Sequence, residues 1–391
     1  MNCNNGFGRI RLTTVYVVSV LLITVFFTAC SGIQSNSTKN QQEIIVAIAS
    51  TLSGDLASNG KDMANGIKLA LDEALDASVF NKTSVKVVLF DDQGDPKTAV
   101  SVAQRICNDP RIRIVVGHLT SGSTNAAAPV YAKAGMPVIM PVPTNPQITM
   151  QGYTNLFRVP PRDNDQAPFL ADYVLKFHQN ARVAVVNDLT SYGQGFADEF
   201  RNAFETGNGN IVAFEGASKE KSDFRTLITK LINLKPKYVV LAATYDMGAP
   251  FARQMREQGL EATILSGDGC YGSAYLDQAG TAAEGTIVSF IAPGRESSPE
   301  AEQFFTKYES KYGKVVSFAP LGYDAGLVAI EALKQTDNPT RDNLVSTIRS
   351  NDFQVHGITG NISFDDKGDN KNKNLVLYIV KEGDFMPYMK Q

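Results

Sequence analysis

Histidine is scarce in this chain: His118, His178 and His356 occur in unrelated contexts, and no HExxH, GxSxG or CxxC pattern accompanies them. The zinc, serine-triad and dithiol chemistries that depend on those patterns therefore have no support. The stretch GDLASNGKD superficially suggests a phosphate loop. Its glycines, Gly54 and Gly60, are spaced too widely, however, and Asp62 follows the lysine where Ser or Thr is needed. No cofactor, metal or catalytic residue is expected, and the chain reads as a non-enzyme. Charge of one sign is also lacking, because 37 basic residues face 40 acidic ones and form no Lys/Arg stripe. Nucleic acid is excluded as a partner on that ground. Of four cysteines, Cys3 and Cys30 precede the folded region, and Cys107 and Cys270 sit in dissimilar settings that read as separate thiols.

Two domains of ordinary size fit the 391 residues better than one core. The chain opens with a distinct segment. Arg9 and Arg11 precede the apolar run Leu12 to Phe27, and Thr28, Ala29 and Cys30 follow. A basic start, an apolar run short for a bilayer span and small residues before a cut site describe an export signal over 1–29. The cysteine resembles that of a bacterial lipobox, where it is acylated, although Phe27 stands where leucine is usual. An uncleaved membrane anchor is the alternative, and both place the bulk of the protein outside the cytoplasm. Residues 30–43 are polar, lack periodicity and suit a lipid-anchored tether.

From Ile44 onward, apolar runs alternate with helical stretches. IIVAIAS, VKVVLFD, IRIVVGH, PVIMP, RVAVVND, NIVAFE, YVVLAAT, ATILSGD and GTIVSF read as strands. Helices are expected over 61–77, 96–108, 124–134, 165–177, 194–205, 224–234 and 248–258. This is the α/β pattern of parallel sheets flanked by helices. Irregular stretches at FRVPPRDNDQAP, IAPGRESSP and 357–366 divide it, with an entirely helical portion over 300–332. Two Rossmann-like lobes are expected, 44–159 with 293–362 and 160–292 with 363–391, joined by a hinge of three strands.

In open parallel sheets ligands sit beyond the carboxyl ends of the strands. Two clusters of small hydroxyl residues fall there. Ser121 and Ser123 follow the run 112–116, and Thr144 follows 137–140. They either hold an anion the size of a carboxylate or merely cap helices and close turns. On the other lobe, Asp268 follows ATIL and Tyr192 follows RVAVVND. These are either an acid and a phenol facing the first lobe or an Asp-Gly turn and a surface loop tyrosine. Hydroxyls on one side with an acid and a phenol on the other would complement an α-amino acid zwitterion.

The segments FDDQGDPKTAV, VVGHLTSGSTNAAAPVY, PVPTNPQIT, DNDQAP, SYGQGF, SGDG and AAEGTIV give the chain a wider resemblance. It resembles the periplasmic amino-acid-binding proteins of ABC transporters, of the leucine/isoleucine/valine-binding kind, with the type I periplasmic binding fold. The resemblance spans 44–381. It implies that Ser121, Val142 and Thr144 grip the ligand carboxylate, that Tyr192 closes over the ligand and that Asp268 binds its ammonium. Family members usually carry glutamate at that last position. A family tyrosine is replaced by Asn59, and another corresponds to Thr244 with Tyr245 beside it. The implied side-chain pocket of Asn59, Leu119, Thr120, Thr244 or Tyr245, and Phe318 is more polar than leucine requires. Gly94 and Thr120 occupy the places of a loop disulfide in some relatives, so that loop is expected to be held by packing alone.

The implied partners are a free amino acid and the permease subunits of an ABC transporter, with the membrane reached through a lipid on Cys30. A tethered sensor of the same fold is the alternative, as is a binder of urea, an amide or an aromatic acid.

Overall fold

The computed structural model describes residues 43–80, 84–178, 180–218 and 222–389, together with Met1 and Asn2. Cys30, the leader 1–29 after Asn2 and the tether up to residue 42 lie outside the described residues. The described residues from Glu43 onward form one compact unit.

The first sheet is built from β1 (Glu43–Ser50), β2 (Ser84–Asp91), β3 (Ile112–Gly117), β4 (Val138–Met140) and β5 (Leu156–Arg158). Between them run α1 (Ala57–Asp76), α2 (Pro96–Asn108), α3 (Ser121–Lys133) and the short α4 (Gln147–Met150). The strands are all parallel, in the order β2-β1-β3-β4-β5. Both faces of β1, β3 and β4 are covered by helices, which is why these strands are almost wholly buried and read as unbroken apolar runs.

The chain then crosses to a second sheet. Here α5 (Asp163–His178), β6 (Arg182–Asn187), α6 (Ser191–Thr206), β7 (Asn210–Gly216), α7 (Arg225–Leu234) and β8 (Tyr238–Ala242) come first. They are followed by α8 (Tyr245–Glu257), β9 (Thr263–Ser266), α9 (Ser273–Ala279) and β10 (Ile287–Phe290). The order β7-β6-β8-β9-β10 repeats that of the first sheet. Each sheet thus reverses its strand order once, between β1 and β3 and between β6 and β8, and such reversals open the crevice where ligands bind.

The remaining segments return to the first lobe as α10 (Pro299–Tyr312), α11 (Ala319–Gln335), α12 (Arg341–Ile348), β11 (Val355–Gly357) and β12 (Gly360–Ile362). The chain ends with β13 (Val376–Lys381) and β14 (Asp384–Met389) on the second sheet.

Four expectations are corrected. The second sheet is mixed, since β13 runs antiparallel to β10 and β14 antiparallel to β13. Glu382 and Gly383, both at positive φ, make the tight turn that a two-residue hairpin demands. Second, α3, α6 and α8 begin at Ser121, Ser191 and Tyr245, earlier than 124, 194 and 248. In α3 and α6 a threonine is the cap: Thr120 and Thr190 accept the backbone N–H of Ser123 and Gly193. Third, the helical portion 300–332 is broken at 313–318. Asp62 holds that break by accepting the N–H groups of Val316, Ser317 and Ala319 and the hydroxyl of Tyr308. Fourth, the loop containing Gly94 is held by hydrogen bonds as well as packing, because Asp92 accepts from Gly94 N–H and Thr51 and pairs with His118 at 2.6 Å.

Cys107 and Cys270 are both free thiols; Cys107 lies near the Val130 carbonyl, and Cys270 is buried against that of Ala243. In the first lobe α1 and α11 cross at backbone distance. A Cβ on Gly66 would lie 2.1 Å from the Ala319 carbonyl oxygen, and one on Gly322 would lie 2.2 Å from that of Met63. Because the obstacle is backbone, side-chain rearrangement cannot relieve it. Gly322→Val is therefore expected to cost about 2–3 kcal/mol of stability, read as a lower denaturation midpoint in urea at unchanged slope; an unchanged midpoint would refute this view of the crossing.

Candidate ligand-binding cleft

The loops after β3, β4, β6, β8 and β9 converge on a cavity of about 600 Å³ between the two sheets. Asn59, Leu119, Thr120, Ser121, Val142, Thr144 and Phe318 line it from the first lobe. Tyr192, Thr244 and Asp268 line it from the second. Of the ligand-site residues expected from the sequence, all but Tyr245 and Ser123 are thus brought to one cavity; Cys30 lies outside the described residues. The Tyr245 side chain turns the other way, and its hydroxyl donates to the Asp55 carbonyl at 2.6 Å, joining the lobes outside the cavity. Because α8 starts at Tyr245, Thr244 takes the cap position facing the cleft.

At one end the cavity is rich in neutral donors. Ser121 opens α3, whose first-turn N–H groups lack intrahelical acceptors. The Ser121 hydroxyl accepts the Asn145 N–H at 3.3 Å, which ties the loop after β3 to the one after β4. Ser123 is also buried, but it does not line the cavity. The PVPTN turn is held from behind by Arg158, whose guanidinium donates to the carbonyls of Pro143 (2.6 Å) and Asn145 (2.9 Å). No lysine, arginine or histidine is among the lining residues described. Any anion bound here must be held by hydroxyls and amides, which suits one carboxylate better than a phosphate.

The opposite end carries the reverse deficit. Asp268 lies in a single helical turn after β9 and is only 3% exposed. The Tyr192 hydroxyl accepts the Gly269 N–H at 3.1 Å and lies 3.4 Å from an Asp268 oxygen. Burial pushes the Asp268 carboxyl up to about 7, only partly offset by hydrogen bonds. Asp163, at the start of α5, is likewise pushed well above the usual carboxylate range by burial, with Asp268 adding to the effect. The cleft is therefore acidic, buried and short of a positive charge.

Sequence reasoning missed several participants. Asp163, which is fully buried and interacts with Asp268 without lining the cavity, lay in the quoted segment DNDQAP but carried no sign of its burial. Leu189, Thr190 and Ser191 line the cavity only because α6 starts early. Contacts between the lobes were also beyond sequence: Asn145 Nδ2 donates to the Ser191 carbonyl at 2.6 Å, and Ser273 N–H to that of Val316 at 3.1 Å. The phosphate-loop look of GDLASNGKD has a packing cause. A Cβ on Gly60 would fall 1.8 Å from the Thr51 carbonyl oxygen, so glycine is required where α1 presses on the end of β1. Among the described residues no cluster suited to a metal ion occurs.

A family model described as periplasmic binding protein matches residues 43–384. The chain belongs to the periplasmic binding protein family. Leu/Ile/Val-binding protein homolog 1 of Brucella melitensis is 31% identical over 345 residues, covering 87% of this chain and 91% of that protein. The leucine-, isoleucine-, valine-, threonine-, and alanine-binding protein of Pseudomonas aeruginosa is 29% identical, covering 86% and 89%. Among solved structures, the leucine binding protein LivK of Thermotoga maritima superposes with a TM-score of 0.82 at 26% identity, covering 88% of this chain and 98% of its own. The branched-chain amino acid transporter substrate binding protein LivJ of Streptococcus pneumoniae, in complex with isoleucine, gives 0.79 at 28% identity, covering 88% and 97%. The architecture is the type I periplasmic binding fold, and members of this family are solute-binding proteins.

The electrostatics of the cleft carry a pH signature. A cation pairs with Asp268 only when its carboxyl is ionised, and burial raises that group from 3.8 to about 7. Affinity for an ammonium-bearing ligand is therefore full above that value and falls as pH drops through it, by up to about tenfold per unit. Calorimetry between pH 5.5 and 8.5 should show this fall; a flat profile would show that the acid is not the cation's partner.

Proposed function

We propose that this chain is an extracytoplasmic solute-binding protein that captures a neutral amino acid between its lobes and delivers it to the permease subunits of an ABC transporter. The observation that carries the reading is the polarity of the cleft. Hydrogen-bond donors suited to a carboxylate stand on one lobe without a cation among them, and the buried acid Asp268 with Tyr192 stands on the other. A zwitterion supplies the charge each end lacks. Relatives named for binding leucine, isoleucine and valine support the same class of ligand.

In this reading Ser121, Val142 and Thr144 receive the α-carboxylate, with the first turn of α3 behind them. Asp268 receives the ammonium, and Tyr192 covers it. Asn59, Leu119, Thr120, Thr244 and Phe318 surround the side chain. The lobes, 44–159 with 293–362 and 160–292 with 363–391, would close by rotation about the three crossings. The hydrogen bonds from Tyr245 to Asp55, Asn145 to Ser191 and Ser273 to Val316 join the lobes and would hold the closed form. A ligand bridging both walls favours closure because it binds that form better, and a permease can recognise the resulting surface. The chain performs no catalysis in this scheme. Export through 1–29 and acylation of Cys30 belong to it and rest on sequence alone.

Asp268→Ala is expected to weaken binding of the preferred amino acid by about 2–5 kcal/mol, the cost of stranding a buried charged partner, measured by titration calorimetry on the full-length protein. Esterifying the ligand carboxylate or acetylating its amine should abolish binding. Wild-type affinity in the variant, or preference for acids without an amine, would overturn the zwitterion reading.

A further inference from the structure

The wall facing the ligand side chain contains one polar atom with nothing to bond. Asn59 stands in the first turn of α1, is 3% exposed and lines the cavity. Its Oδ1 has no hydrogen-bond partner among the described residues. On the same wall the Thr120 hydroxyl accepts the Ser123 N–H, and the Thr244 hydroxyl donates to Asp246 at 2.5 Å. Leu56, Leu119 and Phe318 supply apolar surface around them. A buried acceptor left unpaired is costly, and the cost persists when an apolar ligand fills the space beside it.

We propose that Asn59 is a specificity-determining residue that selects amino acids whose neutral side chain carries a hydrogen-bond donor, an amide or a hydroxyl, over branched-chain ones. This rests on the amino-acid reading of the cleft and narrows it. Size does not make the selection, because glutamine and leucine are close in bulk and the cavity is roomy for both. Polarity does. A pocket built to hydrogen-bond a ligand group discriminates strongly against the analogue lacking it, whereas an apolar pocket discriminates weakly by size. Acidic side chains are disfavoured because no lysine, arginine or histidine among the lining residues could hold a second carboxylate. Asp95, an exposed lining residue, is the group that would instead favour a cationic side chain.

The test is titration calorimetry of the full-length protein with glutamine, threonine, leucine and lysine, repeated on Asn59→Leu. The wild type should bind glutamine or threonine about tenfold to a hundredfold tighter than leucine, and the variant should lose that preference and gain affinity for leucine. Leucine or lysine binding the wild type as tightly as glutamine and threonine would overturn the proposal while leaving the amino-acid reading intact. If the wild type binds no amino acid, both fall. The wild-type ratio needs no variant, so a poorly folding Asn59→Leu does not remove the test.

Discussion

The buried guanidinium of Arg158 is the interaction on which the rest of the cleft depends. It is fully enclosed, and its donors are directed in a fixed fork. Nε reaches Asp369 at 2.8 Å, Nη1 the Pro143 carbonyl, and Nη2 the Asn145 carbonyl and the Thr149 hydroxyl. Two consequences follow. The turn carrying Val142 and Thr144 is gripped by its outward carbonyls, which leaves its other face for the cavity. Asp369, on the segment returning from β12 toward β13, is clamped beside β5, where it also accepts from Thr149 and Arg162. One guanidinium thus ties the turn carrying Val142 and Thr144 to the segment that returns through Asp369. Breaking its pair with Asp369 by removing one partner strands the other in the interior.

With that turn fixed, the two walls divide the electrostatic work unequally. The first lobe offers donors without charge, anchored to β3, β4 and the start of α3. The second offers Asp268, an acid that burial has driven toward neutrality and that a cation placed beside it would favour in the ionised form. Under the proposed function, this asymmetry would let the fold capture a zwitterion without a lysine or arginine among the lining residues described. In the proposed scheme it would also give closure a cause, because the second wall would gain its partner only by approaching a ligand seated on the first.

Much of this was legible in the sequence, and the reasons are physical. Strands buried on both faces must be apolar throughout, so β1, β3, β6, β8 and β9 declare themselves. Groups at the carboxyl ends follow directly from strand positions, so Ser121, Thr144, Tyr192 and Asp268 could be placed at the cleft. What failed depended on phase and on long range. The start of α8 decides whether residue 244 or 245 faces the cleft, and three residues of uncertainty at a helix end exceed that distinction. The Arg158 pair joins residues far apart in the chain, and arginine in a short strand gives no sign that it is buried. β14 escaped notice because Pro387 breaks its pattern, which the strand tolerates at the sheet edge.

The central claim is that the two lobes grip opposite ends of one zwitterion. A crystal structure of the protein with its tightest-binding amino acid tests it most directly. The account places the ligand carboxylate within hydrogen-bonding distance of Ser121 and the turn at Thr144, and the ammonium on Asp268 beneath Tyr192. A ligand seated in the reverse sense, or one leaving Asp268 without a cation, would contradict it.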